Sequence, residues 1–202
     1  MLFHPLGSPK WSRIDAGFLD PGYLKIVGSE HPGVDLNRAG TSGDADLGHP
    51  VLCIAPGVVE EVAHDEVWGH VVLVRHDHAV ARYVGRILGR EIPALWSQYA
   101  HLIWPVVEKG QRVLGGQAIG GMGKGGRQRY WAHLHFELRV SLLPALYWPG
   151  KRREVIERSY LDPAPVLAKT DQEHRYVWHL VVNLTKPDMP QVRPARGEDF
   201  GA

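Results

Sequence analysis

Apolar and polar positions alternate over Trp131-Ala132-His133-Leu134-His135-Phe136-Glu137-Leu138-Arg139-Val140. A period of two predicts a strand whose Leu134, Phe136, Leu138 and Val140 face a core, while His133, His135, Glu137 and Arg139 face the other way. Same-face neighbours on a strand stand roughly 6.6 Å apart along it. Two imidazoles at that spacing suit a division of labour, one binding a metal at about 2 Å and the other facing the metal's water.

Shorter patterns fill the chain on both sides. Val51 to Ala55 predicts a strand that ends in the turn Pro56-Gly57, and Val58 to Val62 predicts its successor. His70 to Arg75 carries the near-continuous apolar run Val71-Val72-Leu73-Val74, the signature of a central buried strand. Ser97 to Leu102 returns to strand, with Tyr99 and His101 on one face and Ala100 and Leu102 on the other. Val106 to Val113 turns at Lys109-Gly110. Between these strands, residues 79–96 read as an insertion: Val80, Tyr83, Val84, Ile87 and Leu88 have helical spacing, and Gly89 is a stop signal. That helix either packs on the sheet or forms a lid over a cleft. Glu154 to Tyr160 suggests a helical turn and Arg175 to Asn183 a last strand. The charged, proline-bearing tail from Lys186 reads as mobile. The chain thus divides into a lead segment (1–24), a main domain (25–165) and a C-terminal extension (166–202). Composition agrees with a mainly β chain, since 23 Gly and 15 Pro in 202 residues imply many turns.

A net charge of +1 argues against nucleic-acid binding. The lone Cys53 allows neither an intrachain disulfide nor a cysteine-based zinc site, and its apolar strand context predicts a buried, inert thiol. No run of 18 apolar residues predicts a transmembrane helix, and the opening Met1-Leu2-Phe3-His4-Pro5 lacks the pattern of a secretory signal. The sequence leaves the oligomeric state open.

Twelve histidines put the candidate chemistry in imidazole. In Glu30-His31-Pro32-Gly33-Val34-Asp35-Leu36, a straight strand would hold His31 and Asp35 roughly 13 Å apart. A bend at Pro32-Gly33 brings His31 back towards Asp35, with Val34 and Leu36 facing inward. With His101, His133 and His135 this makes five candidates. Two His and one carboxylate suffice for a catalytic zinc set with an open fourth position, and the remaining His can orient or deprotonate water. Other clusters are less complete. His76-Asp77-His78 is a metal pair or a polar strand end. Asp44 and Asp46 are part of a calcium loop or of a solvated turn. Gly115 to Gly126 lacks phosphate-loop spacing and suits tight bends beside a cleft. Lys124, Arg127 and Arg129 are positioned either to meet substrate carboxylates or simply to be solvated.

These motifs, in this order, resemble the lysostaphin/LytM-type zinc endopeptidases that cut peptidoglycan cross-links. The matching pieces are His31-Pro32-Gly33-Val34-Asp35, Pro50-Val51, Ala55-Pro56-Gly57-Val58-Val59, Val71 to His76, Tyr99-Ala100-His101-Leu102, Gly115 to Gly120 and His133-Leu134-His135-Phe136-Glu137. The resemblance implies an antiparallel β-sheet domain of the lysostaphin-like (duplicated hybrid motif) type with long groove-forming loops. It implies one zinc per chain held by His31, Asp35 and His135, with His101 and His133 as the catalytic histidines. It also implies a peptidoglycan peptide as substrate and work at the cell wall, whether periplasmic, extracellular or phage-delivered. The chain departs from the family pattern in the 79–96 insertion, which bears on one groove wall, and in the bulky, basic loop Lys124 to Tyr130. Glu137 is placed either to fix an imidazole tautomer or to pair with Arg139. Three other readings compete: a silent or occluded scaffold of the same fold, a D-Ala-D-Ala-type zinc carboxypeptidase, and a plain β domain with ordinary histidines. The carboxypeptidase expects a Glu just before the last His, and Tyr130-Trp131-Ala132 offers none.

Overall fold

The computed structural model describes residues 1–170; the strand expected at Arg175 to Asn183 and the tail from Lys186 lie outside them. Ten strands form one sheet system: β1 (Ser12–Ala16), β2 (Val34–Arg38), β3 (Pro50–Leu52), β4 (Gly57–Asp65), β5 (Gly69–His76), β6 (Trp96–Pro105), β7 (Arg112–Val113), β8 (Ala118–Met122), β9 (Leu134–Arg139) and β10 (Tyr160–Leu161). The main order is β1-β2-β9-β6-β5-β4-β7, with β10 on β9, and with β8 bridging β3 and β6. Every pairing is antiparallel, as the turn-rich sequence predicts.

Val71-Val72-Leu73-Val74 is fully buried in β5, between β4 and β6. A strand covered on both faces has no polar side to alternate with, which is why its pattern reads as a continuous apolar run. One face of the sheet packs Val34, Leu36, Val72, Val74, Tyr99, Leu134, Phe136 and Leu138 into the main core. The other face buries Trp68, Val71, Leu73, Trp96, Ala100 and Ala145 in a smaller cluster. Leu2 and Leu6 belong to the main core. The strand expected at Val51 to Ala55 is shorter, because the backbone of Cys53 turns away from the ladder to bond with Gln117 and Gly116. The Cys53 thiol is buried, and burial pushes it up to about 11.

Among the described residues, four α-helices decorate the sheet: α1 (Pro21–Val27), α2 (His78–Leu88), α3 (Arg153–Ser159) and α4 (Ala164–Leu167). α1 starts where the Asp20 carboxylate accepts from the backbone N–H of Gly22 and Tyr23, at 2.6 and 2.9 Å, and Pro21 opens its first turn. α2 is the helix of the 79–96 insertion and ends at Gly89 in the left-handed conformation (φ 64°). It buries Ala81 and Val84 in the main core. It joins β5 to β6 where Arg75 pairs with Trp96, whereas His101 lies beside Leu102, which pairs with His70 at the opposite end. The insertion is therefore a helix packed on the core, remote from the histidine cluster, and neither a lid nor a wall of the groove.

Candidate metal centre and groove

The bend His31-Pro32-Gly33 delivers the chain into β2. Gly33 is required by closeness: an added Cβ would collide with the Phe136 carbonyl on β9. The pairing of Val34 with Phe136 and Asp35 with His135 sets Asp35 beside His135, and His135 in turn faces Ala100 on β6. One register thus assembles residues 100 positions apart in the chain.

His31 Nε2, Asp35 Oδ1 and His135 Nδ1 converge. The distances are 3.2 Å from His31 to Asp35, 2.9 Å from His135 to Asp35, and 3.0 Å between the two imidazoles. The outward ring nitrogens are committed elsewhere. His31 Nδ1 is 2.7 Å from the Gly17 carbonyl, and His135 Nε2 is 3.0 Å from Glu137 Oε1. Both partners are acceptors, so these outward nitrogens carry the protons and the inward nitrogens present lone pairs. Two lone pairs and a carboxylate oxygen within about 3 Å of one another repel unless a positive charge sits between them. Electrostatics shows the same demand. Without an ion a second proton on His135 takes that place: burial lowers the ring's affinity for it, but hydrogen bonds to Asp35 and Glu137 outweigh burial and raise its pKa to about 9. Burial likewise opposes ionisation of Asp35, yet hydrogen bonds from His135 and His31 hold it well below the usual carboxylate range. This N, N, O donor set fits a zinc ion with one position open. Among the described residues, it is the group of three whose ligand atoms lie within 4.8 Å of one another.

Glu137 takes both of the roles considered for it. It accepts from His135 with one oxygen and from Arg139 Nε with the other, at 2.6 Å, and the ion pair is buried rather than on the surface.

His101 and His133 complete the cluster, with ring centroids 4.7 Å apart. His101 Nδ1 lies 2.9 Å from the Trp68 carbonyl and His133 Nδ1 lies 2.8 Å from the Trp131 carbonyl. Both rings therefore present Nε2, and that of His133 is 3.8 Å from Asp35 Oδ1. Burial, with His133 and His135 adding to it, lowers the His101 pKa to about 3. His101 does not share a face with Tyr99. Tyr99 and Leu102 both point into the main core, because the ladder slips between the pairs of His70 and Val72 and His101 adopts a φ of 61°. This bulge turns His101 to the side of Ala100 and His135, and such backbone strain concentrates at functional positions. Gly125 lies against the ring, where any Cβ would overlap it.

A groove of about 450 Å³ opens over Asp35, His101 and His133, with Tyr23, Ile26 and Val27 of α1 on one side and Arg129, Tyr130 and Trp131 on the other. The Tyr23 ring stacks on His31 at 4.2 Å. Trp68 packs edge-on to His135 at 5.4 Å, and Trp148 lies 6.3 Å away. Sequence patterning passes over Gly17, Tyr23, Trp68 and Trp148, since no spacing ties them to a histidine.

The other candidate clusters are engaged structurally. Lys124 pairs with Asp44 at 2.7 Å and Arg127 with Glu66 at 3.0 Å, which leaves Arg129 at the groove. Asp46 accepts from Asn37, Thr41 and the Arg38 backbone. His76 bonds with Pro56 and Ser97 while Asp77 pairs with Arg112, so residues 76–78 do not converge on a common point.

Peptidoglycan DD-endopeptidase ShyC of Vibrio cholerae serotype O1 is 32% identical to this chain over 102 residues, covering 50% of the chain and 20% of the relative. The chain thus spans about one fifth of the length of that curated relative. Among solved structures, the catalytic domain of lysostaphin from Staphylococcus simulans has a TM-score of 0.50 at 23% identity, covering 78% of this chain and 92% of its own. The structure of LytU gives 0.53 at 23% identity, covering 77% and 83%. Both likenesses establish the fold. The family model described as "Peptidase family M23" matches residues 29–145, more than half of the sequence. This chain belongs to peptidase family M23.

Proposed function

We propose that this protein is a zinc-dependent endopeptidase that hydrolyses peptide cross-links of bacterial peptidoglycan. The observation that carries this reading is the convergence of three inward lone-pair donors, His31, Asp35 and His135, beside two imidazoles whose Nε2 atoms face an open groove. Family membership supports the peptidase activity, and the name of the Vibrio cholerae relative supports peptidoglycan as substrate.

His31, Asp35 and His135 hold the metal. Zinc supplies Lewis acidity towards a scissile carbonyl and makes water more acidic. His101 and His133 flank the position that a water would take. Burial keeps the His101 ring neutral at neutral pH, so its Nε2 lone pair can accept a hydrogen bond from water. Together the two imidazoles accept the proton of the attacking water, stabilise charge on the tetrahedral carbonyl oxygen and return the proton to the leaving amine. The peptide enters between α1 and the 127–131 segment, where Arg129 offers a positive charge to substrate carboxylates. Glu137 is not the base, because both its oxygens are engaged. This counts against a carboxypeptidase with a glutamate base, and the open groove counts against an occluded scaffold.

Metal analysis of the purified chain, with digestion of purified peptidoglycan in the presence and absence of chelator, tests the reading. About one zinc per chain and chelator-sensitive release of cross-linked peptides are expected. Zinc without cleavage of any wall peptide would refute the enzyme and favour the scaffold; absence of zinc binding would refute the ligand assignment.

A further inference from the structure

Burying an ion pair costs several kcal/mol of desolvation per ion, and an apolar pair of similar volume is often more stabilising. The protein nevertheless buries one directly behind the metal centre, where Glu137 and Arg139 are both 0% exposed. Arg139 Nε donates to Glu137 Oε2 at 2.6 Å, and Nη1 donates to the carbonyls of Leu143 and Pro144 at 3.1 Å each. Its guanidinium carbon lies 5.3 Å from the Tyr160 ring centroid. Across the ladder, Trp96 faces Arg139 and Gln98 faces Glu137. Neither bonds to the pair, and the buried Gln98 amide has no hydrogen-bond partner. The Glu137 oxygens are therefore left to His135 and Arg139.

We propose that Arg139 is a positioning residue for the metal, acting on His135 through Glu137. Its donation to Oε2 turns Oε1 to the Nε2–H of His135, so that the His135 ring offers a bare Nδ1 beside Asp35 and His31. His135, Glu137 and Arg139 are successive same-face residues of β9, which sets the three in line. The 143–148 segment holds this line at both ends. Its carbonyls grip the guanidinium, and its Trp148 ring packs 6.3 Å from His135 and 5.4 Å from Trp68. The inference rests on the reading that His31, Asp35 and His135 bind zinc.

The test measures zinc affinity of the full chain by competition with a chromophoric chelator, alongside thermal melting of the zinc-free proteins, for wild type, Arg139→Met, Arg139→Lys and Glu137→Gln. Loss of an outer hydrogen-bond partner typically weakens metal binding by about 10–100-fold, and Arg139→Met is expected in that range. Arg139→Lys, with its charge kept but its fork lost, falls between Arg139→Met and wild type. The double variant Arg139→Met/Glu137→Gln binds no more weakly than the weaker single variant, because both act along one path. A folded Arg139→Met that melts lower but binds zinc like wild type overturns the proposal and leaves Arg139 a structural ion-pair partner. Should Arg139→Met not fold, wild-type affinity in Arg139→Lys overturns it. Failure of wild type itself to bind zinc overturns the metal reading beneath it, a result distinct from either.

Discussion

Gly33→Ala tests how the metal centre is built. The methyl group would collide with the Phe136 carbonyl and come within 3.1 Å of the Phe136 carbonyl carbon and 2.9 Å of Glu137 Cγ. The first two are backbone atoms of a buried strand, and Glu137 is locked between His135 and Arg139. Nothing there can swing aside, so β2 must move away from β9 or the bend must open. Overpacking of this kind costs about 1–3 kcal/mol. For a chain of this size each kcal/mol lowers the melting temperature by about 2–4 °C, so the expected drop is roughly 2–12 °C. The same displacement separates His31 and Asp35 from His135, whose contacts of 3.0 and 2.9 Å with them depend on the strand pairing. Zinc affinity is therefore expected to fall at least tenfold, in the range seen for lost outer contacts. Melting of the metal-free protein and chelator competition measure the two effects separately. An alanine variant with wild-type melting temperature and wild-type zinc affinity would refute the close-packing argument.

Other consequences concern the histidines. His135→Ala should abolish zinc binding, while His133→Ala should keep zinc and lose turnover; normal hydrolysis by His133→Ala contradicts the division of roles. Gly125→Ala pushes on the His101 ring and should lower kcat/KM by about 10²-fold, the cost of a misplacement of about 1 Å, with zinc content unchanged; an unaffected rate would show that the loop yields instead. Burial lowers His4 and His76 from 6.5 to about 4, and the unfolded chain takes up those protons first. The stability they contribute is complete above pH 6.5 and is lost as the pH falls towards 4, by up to ~1.4 kcal/mol per pH unit for each. His135 in the metal-free chain has the opposite sense, its contribution full below pH 6.5 and lost as the pH rises through about 9. Urea midpoints of the zinc-loaded protein between pH 7 and 5 read the first effect together with the contributions of the same sign from His49 and His101, which burial also lowers, and a flat profile would contradict it.

The strands of this protein are legible because each has a one-sided or two-sided core to fill. Leu134, Phe136 and Leu138 alternate for that reason, and Val71 to Val74 run unbroken because both faces of β5 are covered. The insertion helix and its Gly89 stop are legible from local spacing alone. β1 and α1 escape the same reading: β1 is an edge strand with little burial, and α1 buries no residue, so neither leaves a periodic apolar signature.

By itself, then, the sequence determines the elements that bury apolar faces, the bend at Pro32-Gly33, and the set of imidazoles and carboxylates available for a metal. What only the tertiary structure decides is how they meet. The slip in β6 turns His101 away from Tyr99 and towards His135, against strand alternation. The carbonyls of Gly17, Trp68 and Trp131 and the Glu137 carboxylate choose which nitrogen each ring presents. The 143–148 segment reaches both Arg139 and the His135 ring. The Gly17 and Trp68 carbonyls stand 14 and 33 positions from the histidines they meet, and a backbone carbonyl is the same in every amino acid, so no residue pattern can announce it.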